Sequence, residues 1–153
     1  MLATIDHINI VVDDIKTMEH FYTEVTGLNT FKKATLTGDW VDRTVGIPGV
    51  KAEVVFLKSD GGPSVELIKY ITPRGSRPDG LTDPNTKGLR HIAFRVSSIS
   101  EAVKRCRRMG VKFLSDVQEV PTMQVPQDGG NRNRLVYFVD PEGTLLELCS
   151  YEP

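Results

Sequence analysis

The sequence predicts an α+β fold made of two tandem copies of one βαβββ module. Three observations carry that expectation. DHINIVVDDIKTMEHFYTEVTGL, opening at Asp6, recurs as RHIAFRVSSISEAVKRCRRMGVKF, opening at Arg90. PSVELIKY, from Pro63, recurs as TLLELCSY, from Thr144. The offsets agree: His7 and His91 lie 84 positions apart, as do Ile15 and Ile99, and Glu66 and Glu147 lie 81 apart. A unit of roughly eighty residues is a half-domain, longer than a solenoid repeat.

Each element of the module follows from local pattern. HINIVV alternates and is rich in β-branched residues, which reads as a strand. Ile15, Met18, Phe21, Tyr22 and Val25 recur at helical spacing, so a helix runs from about Ile15 to Val25. Gly27 stands where a glycine ends a helix in the left-handed conformation. LNTFKKATL and AEVVFLK read as the second and third strands. The turn SDGGP then leads into the fourth, SVELIKY. The second unit gives LRHIAFRV, a helix from Ile99 to Met109 that Gly110 ends, and a strand VKFLSDVQEV. RLVYFVD, the turn PEG and TLLELCSY complete it. The second helix gathers Ile99, Ala102, Val103, Cys106 and Met109 on one face. Lys104, Arg105, Arg107 and Arg108 lie elsewhere and read as a solvated basic face.

Three stretches stand outside the pattern. Residues 38–50 form a long connection inside the first unit, 71–88 link the units and are rich in Pro and Gly, and 121–134 form a loop in the second unit. The first and third occupy equivalent places in the repeat, which suggests covers over a shared site. The expected organisation is a single domain over 1–153, with module one at 1–72, a linker at 73–87 and module two at 88–153.

Composition sets the outer limits. The 153 residues are 39% hydrophobic and 25% charged, ordinary for a soluble globular domain. A net charge of −1 points to neither nucleic acid nor a membrane surface as partner. MLATIDHINIVV lacks the basic start and long apolar run of a signal peptide. Two cysteines, Cys106 and Cys149, are too few for a disulfide framework and lack CxxC spacing. A cytoplasmic protein is the expectation.

The repeat also singles out four residues as metal-ligand candidates: His7, Glu66, His91 and Glu147. A lone strand histidine is usually a structural residue, and a lone strand glutamate usually faces water. Here each type recurs at one place in both units, for which independent surface residues would have no reason. A carboxylate within an apolar strand is costly to bury unless it is paired or holds a metal. Two imidazoles and two carboxylates suit one divalent Zn, Ni, Co, Mn or Fe ion. Asn9 shares the strand face of His7 and is a candidate substrate contact. Trp40 and Arg43 in the first long connection offer an apolar wall and an anion anchor for a substrate. Met123 and Gln127 are weaker candidates for a pocket rim. His20, without a counterpart in the second unit, reads as a surface residue.

DHINIVVDDI, SVELIKY, LRHIAFRV and YFVDPEGTLLEL together resemble the vicinal oxygen chelate superfamily, in its glyoxalase-I-like branch. That superfamily includes glyoxalase I, methylmalonyl-CoA epimerase, extradiol dioxygenases, fosfomycin-resistance proteins and bleomycin-binding proteins. The resemblance runs over nearly the whole chain. It implies paired βαβββ modules that form an open, U-shaped mixed sheet around a central metal, with the helices outside. It implies ligands on the first and last strands of each module, at His7, Glu66, His91 and Glu147. It also implies a homodimer with a small-molecule substrate.

Such a site implies a metal-dependent isomerase or lyase of glyoxalase I or epimerase type. Its substrate would chelate through a carbonyl, and a carboxylate would move a proton by way of an enolate. Glu147 is favoured as the base, with Glu66 the equivalent group. Two alternatives stand beside this reading: an extradiol-type dioxygenase, and a non-catalytic binder of small molecules or drugs. The former uses two histidines and one carboxylate, so a second glutamate favours proton transfer. The bleomycin-binding relatives lack the ligands.

Overall fold

A computed structural model describes residues 3–59, 61–126 and 132–152. The chain divides into two compact units, Met1–Arg77 and Pro78–Pro153. Gln127 lies outside the described residues.

The first unit runs β1 (His7–Val11), α1 (Ile15–Thr26), β2 (Asn29–Thr37), α2 (Asp39–Val45), β3 (Lys51–Lys58) and β4 (Ser64–Thr72). Its sheet has the order β1-β4-β3-β2. β1 pairs with β4 in parallel, because α1 carries the chain back across the sheet, and the other pairs are antiparallel. Asp14 caps α1 through backbone N–H groups of Lys16 and Thr17. At the other end Gly27 has φ 76° and donates its N–H to the Thr23 carbonyl. Ile15, Met18, Tyr22 and Val25 of α1 are buried as the periodicity requires. Glu19 anchors the exposed side, accepting from Thr30 Oγ1 and Lys33 Nζ, both at 2.6 Å.

The 38–50 connection is not irregular throughout, as the sequence suggested, because its centre is α2. Asp42 holds the return loop by accepting from the N–H groups of Gly49 (2.7 Å) and Val50 (2.8 Å). Val41 alone of α2 is buried, against Val50, Ala52, Val54 and Ile68. Ile68 and Glu66 alternate onto one face of β4, so α2 seals the part of that face beyond Glu66.

The second unit runs β5 (His91–Arg95), α3 (Ile99–Arg108), β6 (Lys112–Phe113), β7 (Gln118–Glu119), β8 (Arg132–Val139) and β9 (Leu145–Glu152). The sheet order is β5-β9-β8-β6, with β7 also on β8. β5 and β9 are parallel, and the rest are antiparallel. VKFLSDVQEV is therefore two short strands. The chain leaves the ladder at Ser115 and Asp116, where the Asp116 carbonyl accepts from Ser115 Oγ and Gln118 Nε2. The Asp116 carboxylate takes Arg107 at 2.7 Å. Ile99, Ala102, Val103 and Cys106 of α3 are buried, whereas Met109 is the cap residue and 40% exposed.

Both sheets are mixed and open. In each unit the first strand stands at the edge and the last strand stands inside. No helix among the described residues is long and apolar enough to cross a membrane.

Candidate metal centre

The parallel pairing of first and last strands sets the candidate ligands side by side. In the first unit Asn9 is in register with Glu66, and His7 sits two residues back on the same strand face. His7 Nε2 stands 3.6 Å from Glu66 Oε2. In the second unit Ala93 is in register with Glu147. His91 Nε2 stands 3.3 Å from Glu147 Oε2. Two ligands each ~2.1 Å from one tetrahedral ion stand roughly 3.4 Å apart. Both pairs therefore have the spacing of two donors on a shared ion. Each supplies one imidazole nitrogen and one carboxylate oxygen, a donor set suited to divalent first-row metals. Among the described residues, no group of three or more His, Cys, Asp or Glu side chains is gathered to hold a metal. The structure brings the four candidates together two by two.

Hydrogen bonds steady these groups. His7 Nδ1 lies 2.8 Å from Asp6 Oδ2. Donation from Nδ1 to that carboxylate leaves the Nε2 lone pair facing Glu66, the arrangement that orients a metal-binding imidazole. Glu66 Oε2 accepts from Asn9 Nδ2 at 2.8 Å. Asn9, singled out for substrate contact, thus has its amide committed to Glu66. In the second unit Ala93 stands in the place of Asn9, and the donor comes from the opposite neighbour strand. Tyr137, in register with Glu147, hydrogen-bonds that carboxylate. Its ring also packs on His91, with centroids 5.0 Å apart. The first unit has Phe56 in the place of Tyr137, in register with Glu66 and edge-on to His7. Each carboxylate therefore has one neutral donor, supplied from opposite sides in the two units. Tyr137 was missed in the sequence, although it follows Phe56 by 81 positions, the offset of the glutamates themselves.

The two histidines are more open than their partners. The side chains of His7 and His91 are 44% and 34% exposed, those of Glu66 and Glu147 14% and 11%. Burial pushes the Glu147 carboxyl above its ordinary value, against the opposing pulls of His91 and the Tyr137 hydroxyl. The Tyr137 hydroxyl is raised by burial and then by the Glu147 charge. Cys149, on the same strand face as Glu147, has its thiol raised by burial and by that same charge.

The other candidate substrate contacts are exposed. Trp40 is 55% exposed on α2, whose buried residue is its neighbour Val41. Arg43 faces Asp39 at 3.9 Å in an exposed pair. Met123 is 95% exposed in the turn after Pro121.

Known proteins share this arrangement of strands. The family model described as the glyoxalase/bleomycin resistance protein/dioxygenase superfamily matches residues 6–125. The uncharacterized protein YwkD of Bacillus subtilis is 25% identical over 97% of each chain. The mitochondrial methylmalonyl-CoA epimerase of Mus musculus is 24% identical over 96% of this chain and 72% of its own length. A crystal structure of a glyoxalase family protein from Bacillus cereus superposes with a TM-score of 0.82 at 27% identity. It covers 100% of this chain and 97% of that one. The paired βαβββ architecture and the extent of these matches lead to one conclusion: the chain belongs to the glyoxalase/bleomycin resistance protein/dioxygenase superfamily.

Proposed function

We propose that this protein is a divalent-metal-dependent isomerase or lyase that moves a proton at a carbon beside a carbonyl. The observation that carries the reading is the recurrence of an imidazole–carboxylate pair, at metal-ligand spacing and in the same register, in both units. In this reading His7, Glu66, His91 and Glu147 form one ligand set. A bound Zn, Ni, Co, Mn or Fe ion supplies a Lewis acid for the oxygens of a small chelating substrate.

The chain's own groups do the rest. Asp6 holds the His7 ring in the tautomer that presents Nε2. Asn9 fixes one oxygen of Glu66. Glu147 takes the proton from carbon and later returns it. Tyr137 keeps that carboxylate aimed while its charge changes. The family's epimerase and glyoxalase I members support this class of chemistry. The chain is read as cytoplasmic, because Cys106 and Cys149 are both free thiols, and as a homodimer.

Two measurements test the proposal. Protein purified without chelator should carry a stoichiometric first-row metal that is lost in His91→Ala. It should also exchange solvent deuterium into a 2-oxo acid, a hemithioacetal or a 2-methyl-3-oxo thioester, and Glu147→Gln should abolish that exchange. A metal-free protein whose stability is untouched by both substitutions would overturn the reading in favour of a binding protein. Oxygen uptake with catechols and no exchange would favour a dioxygenase.

A further inference from the structure

Among the described residues, one feature of the first unit has no counterpart in the second. The strand face that carries His7 and Glu66 continues outward as an aromatic floor. Phe56 meets the His7 ring edge-on at 6.5 Å, and Phe31 lies 6.0 Å beyond Phe56. Lys32 Nζ stands 5.0 Å over the Phe56 ring and Lys58 Nζ 4.6 Å over the Phe31 ring.

The local backbone explains the cluster. Consecutive strand residues normally face opposite ways. The β2–β3 register shifts between Thr30 and Lys32, and a bulge of this kind re-aims a side chain. It puts Phe31 and Lys32 on one face together. Phe56 and Lys58 reach the same face by ordinary alternation. Among the described residues neither ammonium has a carboxylate partner, and its contact is the π-face beneath it. Phe31 is 47% exposed, so its ring is open to a ligand. In the second unit Val139 occupies the place of Lys58, so the repeat does not dictate the pair of lysines.

We propose that Phe31, Lys32, Phe56 and Lys58 form a subsite for the oxyanion-bearing tail of the substrate. The rings take an apolar or planar stem, and the two ammonium groups take a carboxylate or phosphoryl oxygen at its end. The subsite deepens the functional reading above and rests on it in one respect: the carbonyl end of the same molecule lies toward His7 and Glu66. It makes the substrate an anionic acyl compound, with its charge at the end remote from the reacting carbon.

The test is binding, read on the full chain by amide chemical-shift titration with phenylacetate, phenyl phosphate and neutral phenylacetamide. The unaltered protein should bind at least one anion about tenfold more tightly than the amide, the scale of a charge-assisted contact. The shifts should centre on residues 31, 32, 56 and 58. Whichever anion binds more tightly identifies a carboxylate or a phosphoryl tail. The preference should fall to about onefold in Lys32→Gln/Lys58→Gln and persist in Lys112→Gln, which removes one charge from the other unit. It should shrink as salt is raised. Phe31→Leu should weaken anion and amide alike. No preference in the unaltered protein, or one unchanged in a folded double-lysine variant, overturns the subsite. His7→Ala separates the two ideas. If the anion preference survives there while no metal or exchange activity is found in the unaltered protein, the catalytic reading fails and the subsite stands.

Discussion

Tyr137→Phe removes one oxygen atom and keeps the ring that packs on His91. The lost group is the hydroxyl donor to Glu147, whose residue is only 8% exposed. A hydrogen bond to a charged group is worth roughly 1.5–3 kcal/mol net. Tyr137 is only half-buried, so water recovers part of that, and about 1–2 kcal/mol is the expected loss. This corresponds to about 5- to 30-fold in affinity for a divalent ion, within the range seen when a partner that orients a ligand is removed. The loss should depend on pH. The hydroxyl stabilises the ionised carboxylate, so deleting it raises the proton affinity of Glu147 further, and protons compete better with the ion. The gap between unaltered protein and variant should be widest near pH 6 and narrow as pH rises. Zinc titration against a chromophoric chelator at pH 6, 7 and 8 measures it. Equal affinities at all three values in a folded variant would refute the assigned role. A gap that does not change with pH would leave orientation as the sole contribution.

The other predictions concern stability. Val41→Ala should cost about 1.5–3 kcal/mol in urea unfolding, since the side chain is 2% exposed against Val50, Ala52, Val54 and Ile68. A cost near zero would show that α2 does not seal the sheet face. For Glu147 the sign follows from its raised folded-state pKa. The folded metal-free protein holds this proton more tightly than the unfolded chain. Its contribution is therefore most favourable below the unfolded value and is lost as pH rises through the folded one. Glu147→Gln should remove that dependence, so the variant's stability relative to the unaltered metal-free protein should improve between pH 4 and 8. A difference that stays flat over that range would contradict the buried, proton-retaining carboxylate.

The elements legible in the sequence were those with several turns or residues of periodic pattern. α1 and α3 each bury four residues at helical spacing, and β1, β3, β4, β8 and β9 are runs of five residues or more rich in apolar side chains. α2 was not legible. It is seven residues long, Gly38 gives it no side-chain cap, and Val41 is its one buried residue, which leaves no periodicity to detect. The break between β6 and β7 was missed although the polar pair Ser115 and Asp116 interrupts the apolar pattern there. The candidate ligands were legible because duplication placed each type twice. Their supporting donors were not. Asn9 and Tyr137 reach the glutamates across the ladder, and which residues face each other is a matter of register, which a single strand does not encode.

The strand order sets the two types of candidate ligand on differently supported strands. His7 and His91 stand on five-residue edge strands, each hydrogen-bonded to one neighbour, whereas Glu66 and Glu147 stand on inner strands of nine and eight residues with neighbours on both sides. Opening an edge strand requires breaking a single ladder, so native-state amide exchange should be faster in β1 and β5 than in β4 and β9. An ion held by these residues would keep its carboxylates on a rigid frame and lose its imidazoles first. Release would then be gated by fraying at the sheet edge, so the lifetime of the bound ion would track the protection of two short strands.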